Sequence, residues 1–345
     1  MNQDQLKIYT TIKNLRSKSD KNIFEIKKDD IFYQTLKLFP PYLLPKNTLK
    51  SLYKVSFEVK SESLIISNVG ANLISKTPKS DKLYPLHHIG LLIIKPSHPV
   101  ETIDVGITGN IIDSKKIIVR AESACSPSFL MGSQRCNCYE QWLMIHELAA
   151  SFNPLPKKII DSTNPEKEIK NYFQIKNGIP SAKSDRQGFI MIHMTSQNGM
   201  GSGSNQNIFR TDTTETAHLR HRGEYSAEQV FNTSMKGGFE KIGITPDPRI
   251  LNNNFGYQIP AIILKYLKIT KPIILLSNNP KKIDEIRKFG FAAESIHLLG
   301  RVDEYDYQET CDRKNEFKHD IVSTKQLSFA EELKKLRHEI RKYIN

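Results

Sequence analysis

The sequence predicts an α/β or α+β domain, and three observations carry that expectation. From about residue 86 onward, short β-branched runs alternate with helical stretches. The segment Ser328 to Ile344 has the spacing of an amphipathic helix. With 345 residues, 38% hydrophobic and 25% charged, the chain has the composition and length of a globular protein with a proper core.

Residues 1–85 read as a separate extension for packing or dimerisation. Gln5 to Leu15 predicts a short helix, and Ile31 to Leu44 is an apolar stretch interrupted by Pro40-Pro41, which stops a helix. Tyr53 to Val59 and Ser63 to Ile66 predict strands, and the polar stretch Lys76 to Lys82 a linker. The main α/β part is expected over 86–325. Ile117 to Val119 is a short strand there, Glu140 to Ala150 a helix, and Pro154 to Arg186 a polar surface insertion with one helix. Gly188 to Met194 predicts a buried strand running into the glycine-rich turn Gln197 to Ser204. Further on, Ala227 to Ile242 and Ile259 to Leu267 predict helices, Pro272 to Leu276 a strand and Ile283 to Phe289 a helix. The tail, 326–345, opens on the capping box Ser328/Glu331, and Phe329, Leu333, Leu336, Ile340 and Tyr343 form one apolar face.

The totals exclude several classes. The longest apolar runs, such as Ile89 to Ile94, are far too short to span a bilayer, and the polar N-terminus lacks a signal-peptide pattern. Four cysteines give no disulfide framework, which predicts a reducing, cytoplasmic setting without membrane attachment. Lys+Arg 50 against Asp+Glu 37 gives +13, which favours an anionic partner. Because the lysines are spread along the whole chain rather than clustered, a phosphorylated small molecule is favoured over nucleic acid.

The chemistry concentrates where Cys125 is followed, after ten residues and then one, by Cys136 and Cys138. Three thiolates are too few to close a structural zinc tetrahedron and suit a site whose fourth position takes water or substrate. A soft, all-sulfur set favours zinc, and Cys136-Asn137-Cys138 is expected in an extended turn. The other reading is three ordinary buried thiols. Asp247-Pro248-Arg249 sets an acid and a cation on a rigid turn. Ser277 to Lys282, after an apolar strand, combines a hydroxyl, backbone N–H groups at a helix start and a lysine, which make an anion site.

Taken together these stretches resemble GTP cyclohydrolase II, the zinc enzyme that begins riboflavin biosynthesis. The family's R-V-H-S-E-C signature, with C-D-C ten residues later, is matched by Arg120, Ser123, Cys125, Cys136, Cys138 and the following Gln141. The family's Q-E-G-R-G-I-G turn aligns with Gln197 to Gly203, its L-G-F-x-x-D-x-R with Ile242 to Arg249, and its L-L-T-N-N-P-K-K with Leu275 to Lys282. The order is conserved and the likeness covers about residues 88 to 320.

The resemblance implies a mixed sheet flanked by helices, a catalytic domain over 86–325 and a homodimeric enzyme. It implies one Zn²⁺ per subunit on Cys125, Cys136 and Cys138, and a nucleoside triphosphate, GTP, bound with Mg²⁺. Opening of the imidazole ring would release formate. Arg249 would attack the α-phosphate with Asp247 as its acid/base partner, releasing pyrophosphate, while Arg120, Ser123, Gln141, Gly199, Ser277 and Lys282 would bind the nucleotide. The chain departs from the pattern at Asn198 and Met200, where the family has Glu and Arg, and at Glu122 and Ala124, where it has His and Glu. Such changes alter which ligand a polar site accepts. They leave two alternatives: a paralogue opening another nucleotide ring, as in uracil nucleotide catabolism, or an inactive nucleotide-binding protein.

Overall fold

The computed structural model describes residues 41–43, 53–59, 62–94, 101–123, 137–194, 255–298 and 327–344, and the side chains within 70–91, 103–122, 140–194, 257–298 and 327–344. Among them, β1 (Pro41–Leu43), β2 (Tyr53–Val59), β3 (Glu62–Lys76), β4 (Leu83–Ile94), β5 (Glu101–Thr108) and β6 (Ile117–Ser123) come first. Then follow α1 (Asn137–Phe152), α2 (Lys157–Ile160), α3 (Pro165–Tyr172), β7 (Phe173–Lys176), β8 (Ile179–Ala182) and β9 (Phe189–Met194). The last elements are α4 (Phe255–Tyr266), β10 (Ile273–Leu276), α5 (Pro280–Lys288), β11 (Ala293–Ile296) and α6 (Phe329–Ile344).

A mixed nine-stranded sheet is flanked by helices, in the order β1-β3-β4-β5-β9-β6-β10-β11 with β2 also on β3. Its first half is antiparallel, and β9, β6, β10 and β11 run parallel. β5 joins the halves as the antiparallel neighbour of β9. Of the parallel strands, β6, β9 and β10 are short and buried on both faces, as helix-covered strands must be, while the edge strand β11 is only partly buried.

The two faces separate by strand parity. Leu86, Ile118, Phe189, Met191, Ile274 and Leu276 meet α1 and α6. Val105, Ile107, Val119, Ile190, Ile192 and Leu275 meet α4 and α5. The tail helix docks on the core through Leu333, Leu336 and Ile340. Its capping box forms as expected, with Ser328 N donating to Glu331 Oε2 at 2.8 Å and Glu331 N to Ser328 Oγ at 3.3 Å.

Three expectations need correcting. The stretch 76–82 is the turn of the β3–β4 hairpin, closed by Thr77 N donating to Lys82 O at 2.8 Å. The two strands pair from Ile65↔Ile94 to Lys76↔Leu83, so the sheet runs unbroken across residues 85 and 86. The insertion at 154–186 holds two helices and a hairpin, and Leu155, Ile159, Ile169, Phe173 and Ala182 pack with Ile74. Two local signals explain it: Asn164 caps α3 with Pro165 behind it, and Asn177 (φ 55°) with Gly178 (φ 82°) forms the left-handed turn of β7–β8. Lastly, Cys138 lies within the first turn of α1 rather than in an extended turn. The helices expected at 5–15 and 227–242 lie outside the described residues. No described helix is long and apolar enough to cross a membrane.

Candidate functional site

The parallel strands set the place of the site. β6, β9 and β10 point their C-terminal ends to one edge, and Ser123 is the register partner of Met194. β6 and β10 are neighbours. The first described helix after β6, α1, lies on one face, and α5, which follows β10, lies on the other. Adjacent strands whose connections leave to opposite faces open a crevice at their carboxyl ends, where ligands of such sheets bind. Cys125 follows Ser123 by two residues, and the stretch holding Gly199, Asp247 and Arg249 begins after Met194. Cys125, Cys136, Gly199, Asp247 and Arg249 themselves lie outside the described residues. For Cys138 and Ser123 only the backbone is described: Cys138 stands three residues before Gln141 in α1, and Ser123 ends β6.

Four of the predicted residues are described in full, and they gather at this edge. Arg120 on β6 is 7% exposed. Its Nε and Nη2 donate to Glu122 Oε2 at 3.1 and 3.0 Å, Nη2 also to Gln141 Oε1 at 2.7 Å, and Nη1 to the carbonyl of Leu276 at 2.8 Å. The guanidinium thereby ties β6 to α1 and to β10. Lys282 on α5 is buried, and its Nζ donates to the carbonyl of Ala121 at 2.9 Å. Ser277, just beyond β10, accepts from Asn279 N at 3.1 Å through its hydroxyl.

The Ser277–Lys282 turn differs from the open anion cradle expected of it. Asn279 caps α5 by accepting from Lys281 N at 3.0 Å, and Pro280 follows at the first helical position. Asn278 donates to the Leu298 carbonyl at 2.7 Å and accepts from Leu298 N at 2.8 Å, clamping the chain after β11. Its polar groups are thus largely engaged in holding the turn itself.

Several buried groups escaped the reading of the sequence. His193 on β9 stands in register with Glu122, and its Nδ1 lies 3.0 Å from Glu122 Oε1. His146 on α1 stacks over His193 with centroids 6.1 Å apart at 11°, and Trp142 meets His146 edge-on at 4.7 Å. The Tyr84 hydroxyl hydrogen-bonds His146 Nδ1. On the other side of His193 its register partner is Asp104, which receives His88 Nε2 at 2.8 Å, both side chains fully buried. Strand parity alone signals that Glu122 and His193 interrupt buried faces, but the strand order that joins them is not local information.

Electrostatics follow from burial and neighbours. Burial alone would raise the Glu122 carboxyl, but Arg120, with His193 assisting, outweighs it and holds the group down to about 2. Burial pushes His146 down to about 3; His193 adds to the shift and Glu122 opposes it. Burial also raises the Tyr84 phenol, so the ring pair is neutral at pH 7. The arrangement is therefore a carboxylate–guanidinium pair sealed beneath a neutral aromatic and imidazole stack, at the mouth of the sheet crevice.

No protein-family model matches the chain, and no curated protein matches it.

Proposed function

We propose that the chain is a zinc-dependent nucleotide cyclohydrolase similar to GTP cyclohydrolase II, opening the imidazole ring of GTP with release of formate and pyrophosphate. The observation that supports it most is that Arg120, Gln141, Ser277 and Lys282 gather at the C-terminal edge of β6 and β10, where Arg120 and Gln141 are hydrogen-bonded at 2.7 Å. The fold would be the family's, with a homodimer and a cytoplasmic setting.

The donor set suits the metal. Cys125, Cys136 and Cys138 would hold Zn²⁺, and Cys138, in the first turn of α1, lies at the same end of the helix as Gln141. Zinc would supply Lewis acidity and an activated water at neutral pH. The chain's own residues would do the rest. Arg120 and Gln141 would orient the nucleotide, Lys282 and Ser277 would line the phosphate side, and Asp247 with Arg249 would act on the α-phosphate with Mg²⁺ present.

One observation favours a changed substrate. Glu122, where the family carries His, occupies Arg120 at 3.0 and 3.1 Å and removes its net charge from the site. A paralogue opening another nucleotide ring is the second reading. The test is to load the purified protein with zinc and supply GTP and Mg²⁺. Formate release that stops on chelation and in Cys138→Ser is expected. Consumption of a pyrimidine nucleotide instead selects the paralogue, and binding without turnover of any nucleotide sinks the enzymatic reading.

A further inference from the structure

We propose that His193 is a positioning residue of this site: it holds Glu122, and Glu122 holds Arg120 so that the guanidinium offers a ligand one N–H rather than a fork. The proposal rests on the nucleotide-binding reading above.

The geometry builds it stepwise. Glu122 and His193 are cross-strand partners on β6 and β9, so both side chains rise from the same face of the sheet. His193 Nδ1 stands 3.0 Å from Glu122 Oε1 as an ion-pair contact, and because a carboxylate can only accept, any hydrogen shared by the two is His193's. The His146 ring lies nearly parallel to His193 at 11°, and Trp142 and Tyr84 fix His146 in turn. With Oε1 engaged by His193, Oε2 is the oxygen turned to Arg120 Nε and Nη2.

The consequence concerns the ligand. A guanidinium has five N–H donors. Among the described residues Nε is given to Glu122, both Nη2 hydrogens to Glu122 and Gln141, and one Nη1 hydrogen to Leu276 O. That leaves a single Nη1 hydrogen. Two-pronged recognition of a phosphate needs two parallel donors. Arg120 held this way serves a single acceptor atom, such as a base carbonyl or one ester oxygen, and phosphate binding falls to other residues.

The test compares two amides in the full-length, zinc-loaded protein. In His193→Asn the side-chain nitrogen falls near the place of Nδ1 and can still donate to Glu122. In His193→Gln it falls near that of Nε2 and cannot. Losing one charged hydrogen bond's worth of alignment predicts a KM for GTP raised about tenfold in His193→Gln, with kcat changed less, and a KM within about threefold of wild type in His193→Asn. Equal behaviour of the two variants, both folded, overturns the proposal. If the wild type binds no nucleotide, the underlying reading falls, and His193 is judged by urea unfolding instead. Non-additive midpoint shifts of His193→Gln and Arg120→Gln support the linkage through Glu122, and additive shifts overturn it. Emission of Trp142, the one tryptophan of the chain, reports whether the ring stack over His193 moved.

Discussion

Replacing Glu122 by Gln removes one charge and no atoms of consequence to packing, so its effect isolates the buried ion pair. Glu122 is 5% exposed and Arg120 7%, and the two meet at 3.0 Å. Removing one partner leaves a buried guanidinium without its counter-charge, which costs about 3–5 kcal/mol. The carboxyl's fall from 4.5 to about 2 corresponds to about 3 kcal/mol, in the same range. Against a net stability of roughly 5–15 kcal/mol that is a large share. In urea at pH 7, with a slope of about 3 kcal/mol per molar, the midpoint is expected to drop by about 1 M. The companion variant Arg120→Met/Glu122→Gln removes both charges and is expected to recover part of the loss, because two apolar or neutral partners leave no orphaned ion. A midpoint for Glu122→Gln within about 0.2 M of wild type would refute the reasoning and show that Gln141 and the Leu276 carbonyl suffice to hold the cation.

Other outcomes follow from single features. Stability should decline as pH falls below about 6.5: the unfolded chain takes up the proton that folded His146, held near 3, refuses, and below about 4.5 Glu122 adds to the loss until pH reaches about 2. A thermal midpoint flat from pH 7 to pH 3 would contradict this. Leu336→Ala empties a fully buried position between α6, α1 and the sheet and should cost about 2–5 kcal/mol by urea unfolding. Gly109→Ala is a backbone test: at φ +74° its Cβ would stand 2.0 Å from the Gln187 carbonyl, so loss of more than about 3 kcal/mol or failure to fold is expected. Ser328→Ala removes the cap of α6 and should cost only about 1 kcal/mol, read from the same unfolding curves.

Much of the architecture was legible locally. The run Gly188 to Met194 announced a buried strand, and Phe189–Met194 is buried at every position. Ser328 and Glu331 announced the tail helix, and Leu333, Leu336 and Ile340 its docking face. Period and caps are properties of neighbours in sequence, so composition and spacing suffice to fix them. The Asn177-Gly178 turn was equally local, yet the polarity of 154–186 obscured a hairpin that buries little beyond Phe173 and Pro180 to Ala182.

The site divides along the same line. Residue types and spacing singled out the Ser277 to Lys282 turn, and the family resemblance added Arg120 and Gln141. The sequence could not say that Arg120 and Lys282 would reach the carbonyls of Leu276 and Ala121, 156 and 161 residues away. Nor could it say that β9, though later in the chain, lies between β5 and β6. That insertion puts His193 beside Glu122 and Asp104 and makes an isolated histidine the centre of a buried ionisable row. By itself the sequence determined which residues can carry charge and which faces must be buried. The tertiary structure decided which charges meet, because strand order sets the distance between groups that local spacing leaves unrelated.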